Sequence, residues 1–376
     1  MASGMASGVM PCATTIRSWI LRLGLYARTR PHDPNVRRVW FVDHTIPIGV
    51  VKLLVILSCP LSEVPFGERA LAVKDLSLIA MVPMERSTGD LVERELEKAA
   101  LRVGPPALIV SDQGADLQKG IRAYGECRPQ VAQVPDIAHY GANLLQREWE
   151  GHPRWTEFLA KLQDVSSKLR QSKSAELMAP RLRAKARFMN IGIQVRFAQR
   201  VLKLLESPTA SAKVVEHYSW LKDYRAELSV WLGEHGWVSS TIATLRVEGL
   251  HAGSLREVMG NWGVVGSRGG SLKIVVGLLD YVLEYSPKES GVRYVASTEV
   301  LGSSFGKLKR LEGQASSGGL TGLSLGLGVV VGGMSDWEMC EALGSVPEKQ
   351  VEGWVARNYG KTVQWLRRQF LRVEPA

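Results

Sequence analysis

Two aspartates in this 376-residue chain stand where carboxylates can do chemistry. Asp43 closes the run "VWFVD", a short β-branched and aromatic stretch. Asp112 follows "ALIVS", where the hydrophobic residues stop. If the two runs are neighbouring strands, their carboxylates converge at the strands' carboxyl ends. At about 4 Å two such charges repel by roughly 4 kcal/mol at an effective dielectric near 20. A hard cation between them removes that penalty, and Mg²⁺ suits few carboxylates plus waters and phosphate oxygens. A pair of such ions clamps the attacking and leaving oxygens of an in-line phosphoryl displacement. The plainer reading is that each aspartate caps a strand end or turn; the two together, in the element order below, favour metal binding.

The elements that must position these acids read clearly. After "VRRVWFVD" come two apolar runs, "GVVKLLVILSC" (49–59) and "LSLIAMVPM" (76–84), both strand-like. "STGDLVERELEKAALRVG" reads as a helix capped by Ser87 or Thr88 and ended by Gly104. Then follow the strand before Asp112, the helix "ADLQKGIRAYGE", the strand "QVAQVPD" and the helix "HYGANLLQREWE". Three strands in succession imply an antiparallel meander, and strands alternating with helices imply parallel additions by right-handed crossovers. The expected architecture is α/β: a mixed five-stranded sheet with flanking helices. From 141 to 290 the periodicity is helical almost throughout, and its tryptophan stripe reads as helical core.

Composition narrows the setting. The chain is 45% hydrophobic and 22% charged, a globular balance. Four scattered cysteines argue against a disulfide framework or zinc site and for reduced thiols. The start carries no signal-peptide pattern. "GGLTGLSLGLGVVVGGM" (318–334) is short and glycine-rich for a bilayer span, so it is expected as a buried segment. The net charge of +10 is clustered: six arginines and one acid from Met1 to Trp40, and eleven basic residues against Asp164 and Glu176 from Lys161 to Lys203. Such clusters favour a polyanion, with a solvated surface or anionic lipid as the bland alternative.

The blocks "VDHTIPIGVVKLLVILSCPL", "LIVSDQGADLQKGI", "PDIAHYGANLLQREWEGHPRWTEF" and "TEVLGSSFGKLK" resemble those of DDE-type insertion-sequence transposases. The resemblance runs from about residue 13 to the end. It implies an RNase H-like α/β catalytic domain interrupted by a large all-α insertion, and cleavage and strand transfer of DNA with two Mg²⁺ or Mn²⁺ ions. The implied partners are transposon ends and target DNA, with a homo-oligomer on DNA, no membrane, and a bacterial cytoplasmic, nucleoid-associated setting. By resemblance Asp43 and Asp112 are the first two catalytic and metal-binding acids. Asp136 and His139 look like an Asp-x-x-His pair following the second acid; His139 either donates to a phosphate or orients a carboxylate, or it locks a strand-to-helix junction. In many relatives the third acid stands seven positions before a lysine, and seven before Lys309 is Gly302. Glu299, three residues earlier on nearly the same helix face, is therefore taken as the third acid, with Lys307 and Lys309 toward donor DNA or as ordinary surface lysines.

The expected organisation is a remnant of an N-terminal helix-turn-helix region at 1–35 and catalytic segments at 36–140 and 291–335. An insertion at 141–290 and a helical tail at 336–376 complete it. In the first of these, "TTIRSWILRLGLYARTR" reads as a helix stopped at Gly24, with Ile16, Trp19, Ile20 and Leu23 on one face. It is either the end of a shortened motif or a lone amphipathic helix packed on the catalytic domain. Two other functional readings stay open: a DNA-binding remnant without cleavage, and another RNase H-fold nuclease such as a junction resolvase.

Overall fold

The computed structural model of the chain describes residues 10–48, 51–182, 187–265, 270–313, 322–359 and 370. Its helices and strands in chain order are α1 (Ala13–Thr29), β1 (Arg38–Ile48), β2 (Val51–Pro60), β3 (Ser77–Met84), α2 (Gly89–Val103), β4 (Leu108–Ser111), α3 (Ala115–Glu126) and β5 (Ala132–Pro135). Then come α4 (Ile137–Trp149), α5 (Pro153–Leu169), α6 (Gly192–Leu205), α7 (Ala212–Tyr218), α8 (Arg225–Glu248), α9 (Ser254–Val265), α10 (Leu272–Tyr285) and α11 (Glu299–Gly313). The last are α12 (Leu327–Val330), α13 (Asp336–Ser345) and α14 (Glu348–Tyr359). The chain divides into two compact units. The first comprises Met1–Pro65, Ala70–Val134 and Thr298–Ala376; the second comprises Phe66–Arg69 and Pro135–Ser297.

The first unit holds a sheet in the order β3-β2-β1-β4-β5. β1 and β2 pair antiparallel, as do β2 and β3, while β4 joins β1 in parallel. This is the mixed five-stranded arrangement that the order of apolar runs predicts, and its strand order fits the RNase H-like fold that the resemblance implies. Trp40, Val42, Leu54, Ile56 and Ile109 point to one face, where Val92, Leu96, Leu117 and Ile121 of α2 and α3 close a dry core. The predicted ends of α2 hold. Thr88 Oγ1 accepts the Leu91 N–H at 3.3 Å, and Gly104 stops the helix at φ +82°, a conformation that glycine adopts without a Cβ penalty.

Gly24 is not a stop. α1 runs on to Thr29, and Gly24 is buried where the chain comes closest to the glycine-rich segment: a Cβ there would overlap the carbonyl of Leu325. The packed face is Leu23, Gly24, Leu25 and Ala27, while Ile16 and Trp19 remain exposed. α1 thus lies against α12, α13, α14, β3 and the 3-10 turn Gly322–Gly326, as a helix packed on the sheet-bearing unit. The described part of the 318–334 run begins with that turn and α12, buried at Leu325, Leu327 and Gly328. Among the described residues no helix is long and apolar enough to cross a membrane.

The second unit is helical, and its tryptophans are core. Trp149, Trp155 and Trp231 stack with Phe158, at ring-centroid separations of 4.7 Å for Trp149–Trp155 and for Trp155–Trp231 and 5.1 Å for Phe158–Trp231. The buried Glu234 accepts from Trp149 Nε1 at 2.5 Å and from the Ser271 N–H at 2.7 Å, tying α8 to α4 and to the start of α10. Burial pushes its carboxyl up from the usual range, with those two donors opposing.

Candidate active site

The β1–β4 register carries the geometry. Val39 pairs with Leu108, Trp40 with Ile109, Phe41 with Val110 and Val42 with Ser111. The next positions in line are Asp43, still in β1, and Asp112, one residue beyond β4. Side chains alternate along a strand. Trp40, Val42 and Ile109 face the α2–α3 core, so Asp43 belongs to the other face with Phe41. Continuing the ladder sets residue 112 on that face too. Adjacent strands lie about 4.8 Å apart, close enough for two carboxylates to share a cation.

Backbone donors orient both acids. Asp43 Oδ1 accepts the His44 N–H at 2.6 Å, and Asp112 Oδ1 accepts the Gly114 N–H at 2.9 Å. Both side chains are half-buried, so solvent and a ligand can reach them. Charge-assisted bonds of this kind fix a carboxylate's plane.

A polar cluster not singled out by the sequence lies beside them. His44 Nε2 and Ser87 Oγ are 3.0 Å apart, and Asp116 Oδ2 lies 3.7 Å from His44 Nδ1 and 3.8 Å from Lys52 Nζ. Burial lowers the His44 pKa against the opposing pull of Asp116 and Asp112, while Lys52 adds to the lowering. For Asp116 burial acts upward, but the Ser87 hydroxyl, His44, Lys52 and the Leu117 N–H outweigh it, and its pKa falls. The available signal was adjacency: His44 directly follows one candidate acid, and Asp116 lies one helical turn past the other.

α11 packs against β1, and its buried Leu301, Phe305 and Leu308 are not part of the α2–α3 core. It therefore covers the face toward which Asp43 points. Glu299 is the first residue of α11 and is exposed, as are Gly302, Ser303, Gly306 and Lys307. A Cβ built on Gly302 meets nothing within 4 Å. Glu299 and Gly302 thus share the solvent-facing side of the helix. The Lys309 side chain lies outside the described residues. Among the described residues no three His, Cys, Asp or Glu side chains are grouped closely enough to hold a metal ion. Two half-buried carboxylates at successive register positions are oxygen donors of the kind that Mg²⁺ takes together with waters.

Asp136 and His139 lie in the second unit. Asp136 is fully buried and caps α4, its Oδ2 accepting the His139 N–H at 3.1 Å and meeting His139 Nδ1 at 2.6 Å. The Ile137 N–H donates to the Ala296 carbonyl at 2.9 Å. The two residues are thus joined to each other at the start of α4.

No protein-family model matches the chain, and no curated protein matches it. Among solved structures it is similar to the Drosophila P element transposase strand transfer complex, with a TM-score of 0.41 at 11% identity, over 88% of this chain and 87% of that one.

Proposed function

We propose that the chain is a DDE-type DNA transposase that cleaves phosphodiesters and transfers strands with divalent metal. The observation that supports this reading is the parallel β1–β4 register that brings residues 43 and 112 into line. Asp43 and Asp112 hold the ions, and Glu299 at the open start of α11 is the third acid. When bound, Mg²⁺ or Mn²⁺ supplies Lewis-acid polarisation of the phosphodiester and cancels the repulsion between the carboxylates. The chain's own residues do the rest: the His44 and Gly114 N–H groups hold the carboxylates in orientation, and Lys307 offers positive charge to DNA. The DNA is the element's own ends and a target, handled by more than one copy of the chain.

The test is nicking of a supercoiled plasmid that carries the DNA flanking the coding sequence, in Mg²⁺ or Mn²⁺. Asp112→Asn or Asp43→Asn should abolish it, by about a hundredfold or more, since even a 1 Å misplacement of a reacting group can cost that much. Nicking that survives Asp112→Asn sinks the proposal.

Gly302 supports a second reading, a DNA-binding protein that does not cleave. The register position of the third acid has no side chain, and the space around it is open. Here wild-type protein binds DNA without nicking, and Gly302→Glu switches cleavage on.

A further inference from the structure

At the amino end of β1 a largely buried arginine leaves its Nε without a hydrogen-bond partner. This is Arg38, which opens the strand and is only 8% exposed. Folded chains rarely tolerate this, because a buried ionised group needs a counter-charge or donors and acceptors around it. Nor is Arg38 alone. Arg28 Nε, Arg30 Nε and His32 Nε2 are also buried and without hydrogen-bond partners.

Three elements of the first unit gather these groups: the end of α1 with the loop after it, the start of β1, and the last turn of α2. Arg102 of α2 donates from Nη1 to the Arg28 carbonyl at 3.2 Å and from Nη2 to the Ile79 carbonyl. Arg30 Nη2 donates to Ser77 Oγ at 3.1 Å, at the same end of the sheet, since Trp40 pairs with Ser58 and Ser58 with Ser77. The loop is pressed onto the end of α2, where a Cβ on Gly104 would overlap the Pro34 carbonyl.

The nearby acids neutralise the cluster only in part. Glu338 is held by Arg30 Nη1 at 2.8 Å, and Asp33 Oδ1 is occupied by the Asn35 N–H and Nδ2 at 2.9 and 3.1 Å. Glu63 acts on Arg38 and Glu95 on Arg28 only through space. His32 registers the excess: burial first, then the charges of Arg38, Arg30 and Arg102, push its pKa down to about 4.

We propose that the cluster of Arg30, His32, Arg38 and Arg102 binds a phosphate-class oxyanion, carried by a nucleic-acid backbone or by a free phosphate. Phosphate is the class that fits, because its non-bridging oxygens, two on a backbone diester and three or more on a free phosphate, accept from several donors at once, and the planar guanidinium fork matches it. The site lies five residues before Asp43, roughly 16 Å along the strand. It is therefore distinct from the acids, and the inference does not rest on the phosphodiester chemistry proposed for them.

The experiment compares wild type with Arg38→Leu in two arms. In one, inorganic phosphate replaces chloride at constant ionic strength. The thermal midpoint and the pKa of the His32 ring, followed by NMR, should both rise in wild type, with affinity roughly ten- to a hundredfold weaker in the variant. In the other, a short DNA duplex is titrated across salt concentrations; loss of one backbone contact should lower affinity and reduce the log–log salt slope by about 0.9. A response in the first arm alone assigns a free phosphate, and one in the second assigns the backbone. If neither arm distinguishes the two proteins, or acetate acts as strongly as phosphate, the site does not exist as described. Should Arg38→Leu fail to fold, Arg38→Gln is read in the same two arms, with the same expected losses and the same overturning results.

Discussion

Gly302 shows how a single residue's environment decides what a substitution does. It is exposed, in the first turn of α11, and has open space where a side chain would start. Replacing it with glutamate should stabilise α11 by about 0.5 kcal/mol, because glycine is a poor helix former. Thermal melts without metal would show it, and the same variant separates the two functional readings by its nicking activity. At this scale Asp43 and Asp112 were legible because their hydrophobic runs end on them. Arg38, His44 and Asp116 were not. What distinguishes them is missing or cross-element pairing, which leaves no mark on local sequence.

Among the elements, α1 gives the sharpest test. Helix propensity alone favours Gly24→Ala by about 1 kcal/mol. The approach of the Leu325 carbonyl reverses the sign, and the variant should be destabilised by about 1–3 kcal/mol, a typical cost of overpacking, in denaturant unfolding. At the start of α2, Thr88→Ala removes the cap and should cost about 1 kcal/mol by the same measurement. Both residues stand at plausible helix ends in the sequence, yet only the second ends one. Thr88 and Gly104 signal through local backbone demands that their neighbours share. Gly24 answers to a segment some 300 residues away, so its glycine reads as a terminator when it is a close-packing site. The strand order was legible for the opposite reason: short connections between apolar runs leave few alternatives.

For the molecule as a whole, pH reports on burial. His235, in α8, is held at a pKa of about 4 by burial and then by Arg196, against an ordinary 6.5. The folded state therefore stays neutral there while the unfolded chain takes up a proton as pH falls below 6.5. This residue's contribution to stability is complete above that value and is lost progressively down to about pH 4. His32 titrates over the same window. Urea unfolding at pH 7 and pH 4.5 should show wild type losing more stability than His235→Gln; equal losses would remove His235 from the acid response. The net charge of +10 likewise predicts DNA binding that weakens steeply with salt, measurable by fluorescence anisotropy.

The first unit is assembled from stretches far apart in the chain. β5 ends at Pro135, whereas α11 begins at Glu299. Synthesis adds about 5–20 residues per second, so the helix that covers Asp43's side of β1 leaves the ribosome roughly 10–30 s after the last strand. During that interval Phe41 has no lid, and the nascent sheet is a natural client for a chaperone that shields apolar surface. Moving the 298–376 segment ahead of the strands by circular permutation would close that window and ought to lower aggregation during expression.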